Sequence, residues 1–350
     1  MEHVDTDADS GIEIWRLDTD HRPTDNIYGE QPYASLDGSC IALRHYATDE
    51  RQGGLSILDL NTGQSRSIIE EAARFPAFHG WGEYLYGQQI IDGRLLLRRW
   101  HWASAEGETL VELPAHEGRF SYGTVSGDGR HYAVCVHNDA PAPCRVLLVD
   151  LETKANRELT RSTERYYKHE QFSRDGRDRV MLQGNSADVS QVSLTAVDLT
   201  GEITAFAADV PHTLRPTGHE AWVGEDSAVF FSTRWDDEQG NLWTATLGED
   251  HPTPLGPAIR GGHVSVSRCG TCWLVDDGSC PDVPLRIGNF SSGRSARVVS
   301  TGTVHDDQQW SHAHPYLTAD NAWAVFTSNR SGQSQVYGAR LPEALLSSLA

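Results

Sequence analysis

The chain of 350 residues carries 29 Lys and Arg against 49 Asp and Glu, a formal net charge of −20. So acidic a surface repels phosphate backbones and anionic lipid headgroups, which sets nucleic acid and membranes aside as partners. With 38% apolar residues and 10 Trp the chain can bury a sizeable core, so global disorder is excluded.

Met1 to Ser10 is acidic and no apolar run follows that resembles a signal peptide or spans a bilayer, so a cytoplasmic protein is expected. Six cysteines are sparse for a disulfide scaffold and agree with that compartment. The first strand is expected near Glu13, in EIWRLD, pairing with the last repeat of the chain. One pattern then recurs: an apolar-alternating stretch, a polar Asp or Gly turn, and a β-rich run. The copies are PYASLDGSCIALRHY from Pro32, a degenerate HGWGEYLYGQQIIDGRLLLRRW from His79, YGTVSGDGRHYAVCV from Tyr122 and HEQFSRDGRDRVMLQ from His169. HEAWVGEDSAVFFST from His219, HVSVSRCGTCWLVDD from His263 and HPYLTADNAWAVFTS from His314 complete the set. The turn residues Asp128, Asp175, Glu225, Gly270 and Asp320 recur at roughly 45 to 50 residues. Most copies are trailed by a further strand and turn, as in LSILDLNTGQSRSI and RVLLVDLETKANREL.

Strand, D-G turn, strand, loop, strand, T-G turn and strand make a four-stranded antiparallel unit. Seven such units predict an all-β, seven-bladed β-propeller, a single domain over residues 1–350. Helix is expected only in SIIEEAARF near Ile68 and in the terminal PEALLSSL.

Histidines occupy one register, just before the inner strand, at His169, His219, His263 and His314. Any one of them alone reads as a hydrogen-bonded histidine at a blade corner, but four in one slot point to converging imidazoles and a divalent metal. The densest run is Gln309-Trp310-Ser311-His312-Ala313-His314-Pro315. In an extended strand His312 and His314 share a face. With His263 and Gln309 they form an uncharged donor set of three imidazoles and one amide, which leaves the ion's charge available to an anionic substrate. Cys269-Gly-Thr-Cys272 is half a zinc-ribbon site with no second half, and its glycine falls at the repeat's turn, so these cysteines are expected to flank a hairpin.

The runs GHEAW (Gly218 to Trp222), GGHVSVS (Gly261 to Ser267), QWSHAHPYLTAD (Gln309 to Asp320) and VFTSNRSGQSQVY (Val325 to Tyr337) resemble the oligogalacturonate lyases, polysaccharide lyase family 22. The resemblance covers most of the chain in blade order and is sharpest from about His169 to Tyr337. It implies a cytoplasmic propeller with a manganese-type ion on His263, Gln309, His312 and His314. It also implies His219 of H-E-x-W as the Brønsted base, and His169 on the same face. Mn²⁺ is the metal the resemblance implies, while the donor set also accepts Zn²⁺ or others. One departure stands out: where the family has an arginine, this chain has Ser193, or Gln191 under a shifted alignment, and no Arg lies between Arg179 and Arg215. Either Arg174, Arg215 or Arg234 substitutes, or the substrate differs.

The implied reaction is β-elimination on a short oligouronide. Tyr122 and His169 are candidates for contacting the substrate or the leaving oxygen. Arg234 and Arg330 are candidates for pairing with further carboxylates, set against a plain reading as solvated loop charges. Two alternatives remain open at this point: a propeller lyase for a glucuronate- or iduronate-containing uronide, and a non-catalytic TolB-like propeller that binds a protein.

Overall fold

The computed structural model describes residues 1–18, 22–46, 53–138, 144–174, 176–186, 191–206, 216–225, 227–304 and 311–350. They form two compact units. Met1–Ala73, His101–Glu106 and Arg260–Ala350 make one, and Arg74–Trp100 with Gly107–Ile259 make the other. The fold is all-β, with the expected four-stranded antiparallel sheets as its recurring element. Among the described residues no helix is long and apolar enough to cross a membrane.

In the first unit, Val264–Val266, Cys272–Asp276, Pro284–Asn289 and Ser295–Ser300 form one such sheet. A second sheet has five strands, because the chain's beginning joins its end. Glu13–Arg16 pairs antiparallel with Gln335–Arg340, in register Ile14↔Ala339, and Glu2–Thr6 is added outside it. The pairing expected for EIWRLD is therefore present, although the first strand is Glu2–Thr6 rather than EIWRLD. Buried aliphatic and aromatic residues from both termini, among them Ile14, Phe326, Tyr337 and Leu349, share one core with Leu274 and Leu285.

In the second unit, Arg165–Phe172, Arg179–Ser186, Val192–Asp198 and Ile203–Ala205 form one sheet, and Pro216–Trp222, Ala228–Asp236, Gly240–Thr246 and Thr253–Pro254 another. Met181, Leu194, Trp222, Phe231 and Trp243 pack into one apolar cluster there. The degenerate repeat folds as Tyr84–Ile91 and Arg94–His101 about Asp92-Gly93, whose φ values of 52° and 74° are those of a type I′ hairpin turn.

The repeat's polar turn has a common chemistry. In Ser126-Gly-Asp128-Gly, Asp128 Oδ1 accepts from Ser126 Oγ (2.6 Å) and Arg130 N (2.9 Å), and His131 N donates to Ser126 Oγ (2.9 Å). Thr318 and Asp320 repeat the arrangement. At the CxxC repeat, Cys269 stands where the aspartate would be. Its Sγ lies 3.4 Å from Ser267 Oγ, and Cys272 opens the next strand. Neither thiol forms a disulfide, and the cysteines lie at a hairpin between Val264–Val266 and Cys272–Asp276.

One local expectation differs and one holds. SIIEEAARF is strand, part of Ser65–His79, with Leu55↔Ile69 and Gly53↔Ala73 as partners. Its helix-like composition is overridden by pairing with Gly53–Asp59, and Pro76 would break a helix a few residues on. PEALLSSL does form a helix, Glu343–Leu349.

Candidate functional site

His263, His312 and His314 gather in the first unit, with one nitrogen from each lying within 4.8 Å of the others. His263 precedes the strand Val264–Val266 and is held by Asp276, which accepts from His263 N (2.8 Å) and lies 2.6 Å from its Nδ1. A proton on Nδ1 shared with that carboxylate leaves Nε2 as the lone-pair nitrogen, the usual arrangement behind a metal-bound imidazole. Burial alone would push the His263 pKa down. The Asp276 carboxylate, helped by Glu30, outweighs burial and raises it.

His312 and His314 do not lie in an extended strand; the strand begins only at Tyr316. Alternation is therefore not what aligns them. His314 has a left-handed φ of 43°, which turns its ring to 4.3 Å from that of His263 and 5.8 Å from that of His312, between centroids. A non-glycine residue holds such a φ only where its surroundings over-determine it. Here Asn26 Nδ2 donates to the His314 carbonyl (2.7 Å), and Asn26 is in turn fixed by Thr327. The backbone at Gly29 comes so close that a Cβ would stand 2.8 Å from His314 C and Pro315 O.

The segment 24–31 is thus a supporting wall that no repeat pattern marked. It is anchored by a buried bidentate pair, Arg44 to Asp25 at 3.0 and 2.6 Å, with Tyr46 donating to the same carboxylate. It also brings the buried Glu30, so the surroundings of the imidazoles are not uncharged as expected from the ligand types alone. Three imidazole nitrogens at this spacing, one with its tautomer set by a carboxylate, fit a divalent transition metal. Gln309 lies outside the described residues.

The second unit holds a separate arrangement. His169 and His219 both sit where a β-bulge interrupts strand pairing, and their rings are 6.5 Å apart. Bulges re-aim side chains, and His169 has a left-handed φ of 55°. Its Nδ1 lies 3.1 Å from Oε1 of the buried Glu220, the second residue of H-E-x-W. The tryptophan of that motif donates from Trp222 Nε1 to the Gln171 carbonyl (3.1 Å), and Gln171 Nε2 returns a bond to the Glu220 carbonyl (2.7 Å). The Glu of H-E-Q-F acts likewise on the repeat before it. Glu170 accepts from Ser121 Oγ, Gly123 N (2.9 Å) and Cys135 N (3.1 Å). In each H-E pair, then, the histidine is presented and the glutamate fastens neighbouring repeats. The shared H-E spelling was the signal for this, and it was read only for its histidines.

Tyr122 is half-buried, its ring 4.7 Å from that of Phe75. Arg234 is exposed on Ala228–Asp236. Arg330 pairs with Asp5 (2.9 Å). Ser193 Oγ donates to the Gly184 carbonyl of the adjoining strand (3.4 Å) and does not replace a guanidinium. Arg215 lies outside the described residues.

Four-stranded β sheets with histidines gathered at their inner strands, three of them spaced for a metal, define a propeller-like protein with a candidate divalent-metal centre. No family model matches the sequence. The oligogalacturonide lyase of Pectobacterium atrosepticum is 27% identical over 149 residues, a stretch covering 36% of this chain and 37% of the relative. The match thus spans little more than a third of the curated relative's length. A solved structure described as oligogalacturonate lyase in complex with manganese superposes with a TM-score of 0.78 at 19% identity, covering 99% of this chain and 98% of the other. The oligogalacturonate lyase of Vibrio parahaemolyticus gives 0.77 at 15%, over 99% and 98%. The β-propeller domain of the Trilobed protease from Pyrococcus furiosus gives 0.58 at 10%, over 89% and 95%. The resemblance to oligogalacturonate lyases read from the histidine motifs is therefore present in sequence alignment and in fold.

Proposed function

We propose that the chain is a metal-dependent lyase that cleaves short oligogalacturonate-like uronides by β-elimination, built as one seven-bladed propeller and acting in the cytoplasm. The observation that carries this reading is the His263, His312 and His314 cluster within a fold shared with a manganese-bound oligogalacturonate lyase. Those three residues, with Gln309, would hold Mn²⁺. A divalent cation there supplies positive charge beside the uronate carboxylate and eases the build-up of enolate-like charge.

The protein's own groups divide the remaining work. His219 takes the C5 proton, a task suited to an imidazole because its titration falls near neutrality. The electrons of that C–H bond form the C4–C5 double bond, and the C4–O bond breaks with its electron pair on the leaving oxygen, which then takes up a proton as the free hydroxyl; no water is consumed. Glu220 holds His169 toward the substrate, where it and Tyr122 contact the sugar or the leaving oxygen. Arg234 is exposed and able to meet a further carboxylate, as is Arg330 if it exchanges Asp5 for substrate.

Chelated protein is expected to lose the growth in absorbance of the unsaturated product, and Mn²⁺ to restore it. His219→Ala should still bind Mn²⁺ while turnover falls by about 10²–10⁴. Turnover that survives metal removal, or a His219→Ala protein with unchanged rate, would overturn the assignment. A different uronide is favoured by one observation, the serine in place of the family arginine at Ser193. A panel of galacturonate, glucuronate and iduronate oligomers distinguishes the two readings.

A further inference from the structure

Arg174 lies just past the end of the strand Arg165–Phe172. Its guanidinium carbon lies 4.0 Å over the ring of Trp81 and 5.6 Å over that of Phe78. All three guanidinium nitrogens are buried, and among the described residues none has a hydrogen-bond acceptor. Trp81 is only 3% exposed, and its Nε1 is likewise buried without an acceptor. Five N–H groups of the guanidinium and one of the indole beneath it therefore have no acceptor among the described residues. Among the described residues no carboxylate offsets the charge, and burial lowers the Arg174 pKa to about 9.

Such a grouping is costly in a folded protein, since buried donors are almost always paired and buried ions compensated. The aromatic faces offset only part of that cost through cation–π attraction. Water could accept some of the bonds but would leave the charge. An anion meets both deficits at once, and the guanidinium fork matches the paired oxygens of a carboxylate or phosphate.

We propose that Arg174 and Trp81 form a binding site for a small oxyanion of carboxylate or phosphate type, apart from His169 and His219. The occupant is either a free inorganic oxyanion or the carboxylate of a sugar acid. The site does not depend on the lyase reading.

The test is calorimetry and thermal melting on chelator-treated protein, so that no metal contributes to anion binding. Phosphate, acetate and galacturonate are titrated at constant ionic strength against chloride. Wild type should show saturable binding and a rise in Tm with at least one oxyanion. Arg174→Gln should lose both, and Trp81→Phe, which keeps an aromatic face but not the N–H, should bind about tenfold more weakly. Phosphate binding without galacturonate binding marks a free oxyanion as occupant, and the converse a sugar acid; either supports the site. Absence of saturable binding in wild type overturns it, as does equal binding in Arg174→Gln. Should Arg174→Gln fail to fold, an unchanged affinity in Trp81→Phe overturns it alone. Lyase activity enters none of these readouts, so a failed lyase assignment leaves the outcome intact.

Discussion

Asp276 is completely buried and spends both carboxylate oxygens on His263, one on its backbone N–H and one on its ring. Its work is to fix which imidazole nitrogen faces the other histidines. Asp276→Asn keeps the shape but replaces a charged acceptor with an amide that can present N–H to the ring. Mn²⁺ affinity measured calorimetrically is expected to fall about 10–100-fold, the range seen for partners of metal-bound histidines. An unchanged affinity would mean that Asp276 only packs. Asn26 and Gly29 act one step further out, through the His314 backbone. Glu220 plays a comparable part for His169 in the second unit. The histidines of both groups were legible in the sequence, His312 from the dense run beginning at Gln309 and the others from their shared register; their orienting partners were not, because acid and amide side chains carry no mark of which distant ring they touch.

At the scale of elements, Asp7 shows how the chain's beginning is secured. It lies after Glu2–Thr6 and accepts from Ser300 N (2.7 Å), Ser10 N (3.0 Å) and Asp9 N (3.1 Å), with Arg297 at 3.7 Å. Burial on its own would raise the Asp7 pKa. The three backbone donors outweigh it and hold the carboxyl below its ordinary value of 3.8. A depressed folded-state pKa contributes stability above the unfolded value, lost as pH falls through the folded one. Asp7→Asn is therefore expected to cost about 1–2 kcal/mol at pH 7, with the gap to wild type closing below roughly pH 4 in urea melts. A gap that stays constant across that range would place the effect elsewhere. The repeat turns were readable as Asp-Gly signatures, and their hydrogen bonding follows from the S-x-D-G spelling. SIIEEAARF was not readable, since its strand state depends on partners at Leu55 and Gly53 rather than on its own composition.

For the whole molecule, the charge of −20 sets the terms on which any polyanion approaches. Repulsion grows with the number of carboxylates on the substrate and is screened by salt over about 8–10 Å near physiological ionic strength. Raising ionic strength should therefore lower KM for longer oligouronides more than for a dimer. Salt dependence that is identical across chain lengths would show that the acidic exterior does not enter substrate capture. A single carboxylate held at a metal centre is a local matter and is compatible with such an exterior.

The repeat period, the strand-and-turn composition of each copy and the clustering of histidines before inner strands follow from local patterning, so the sequence alone determined the all-β class and the residues worth suspecting. The tertiary structure decided how those residues are held. His314 is turned by Asn26 from 288 positions away, and Ile14 completes the sheet that contains Ala339. His263 answers to Asp276 across a hairpin, and Arg174 lies against aromatic faces with no acceptor among the described residues. Side-chain direction at a bulge or a left-handed residue is set by long-range contacts, and no periodicity in the chain encodes contacts between segments that meet only on folding.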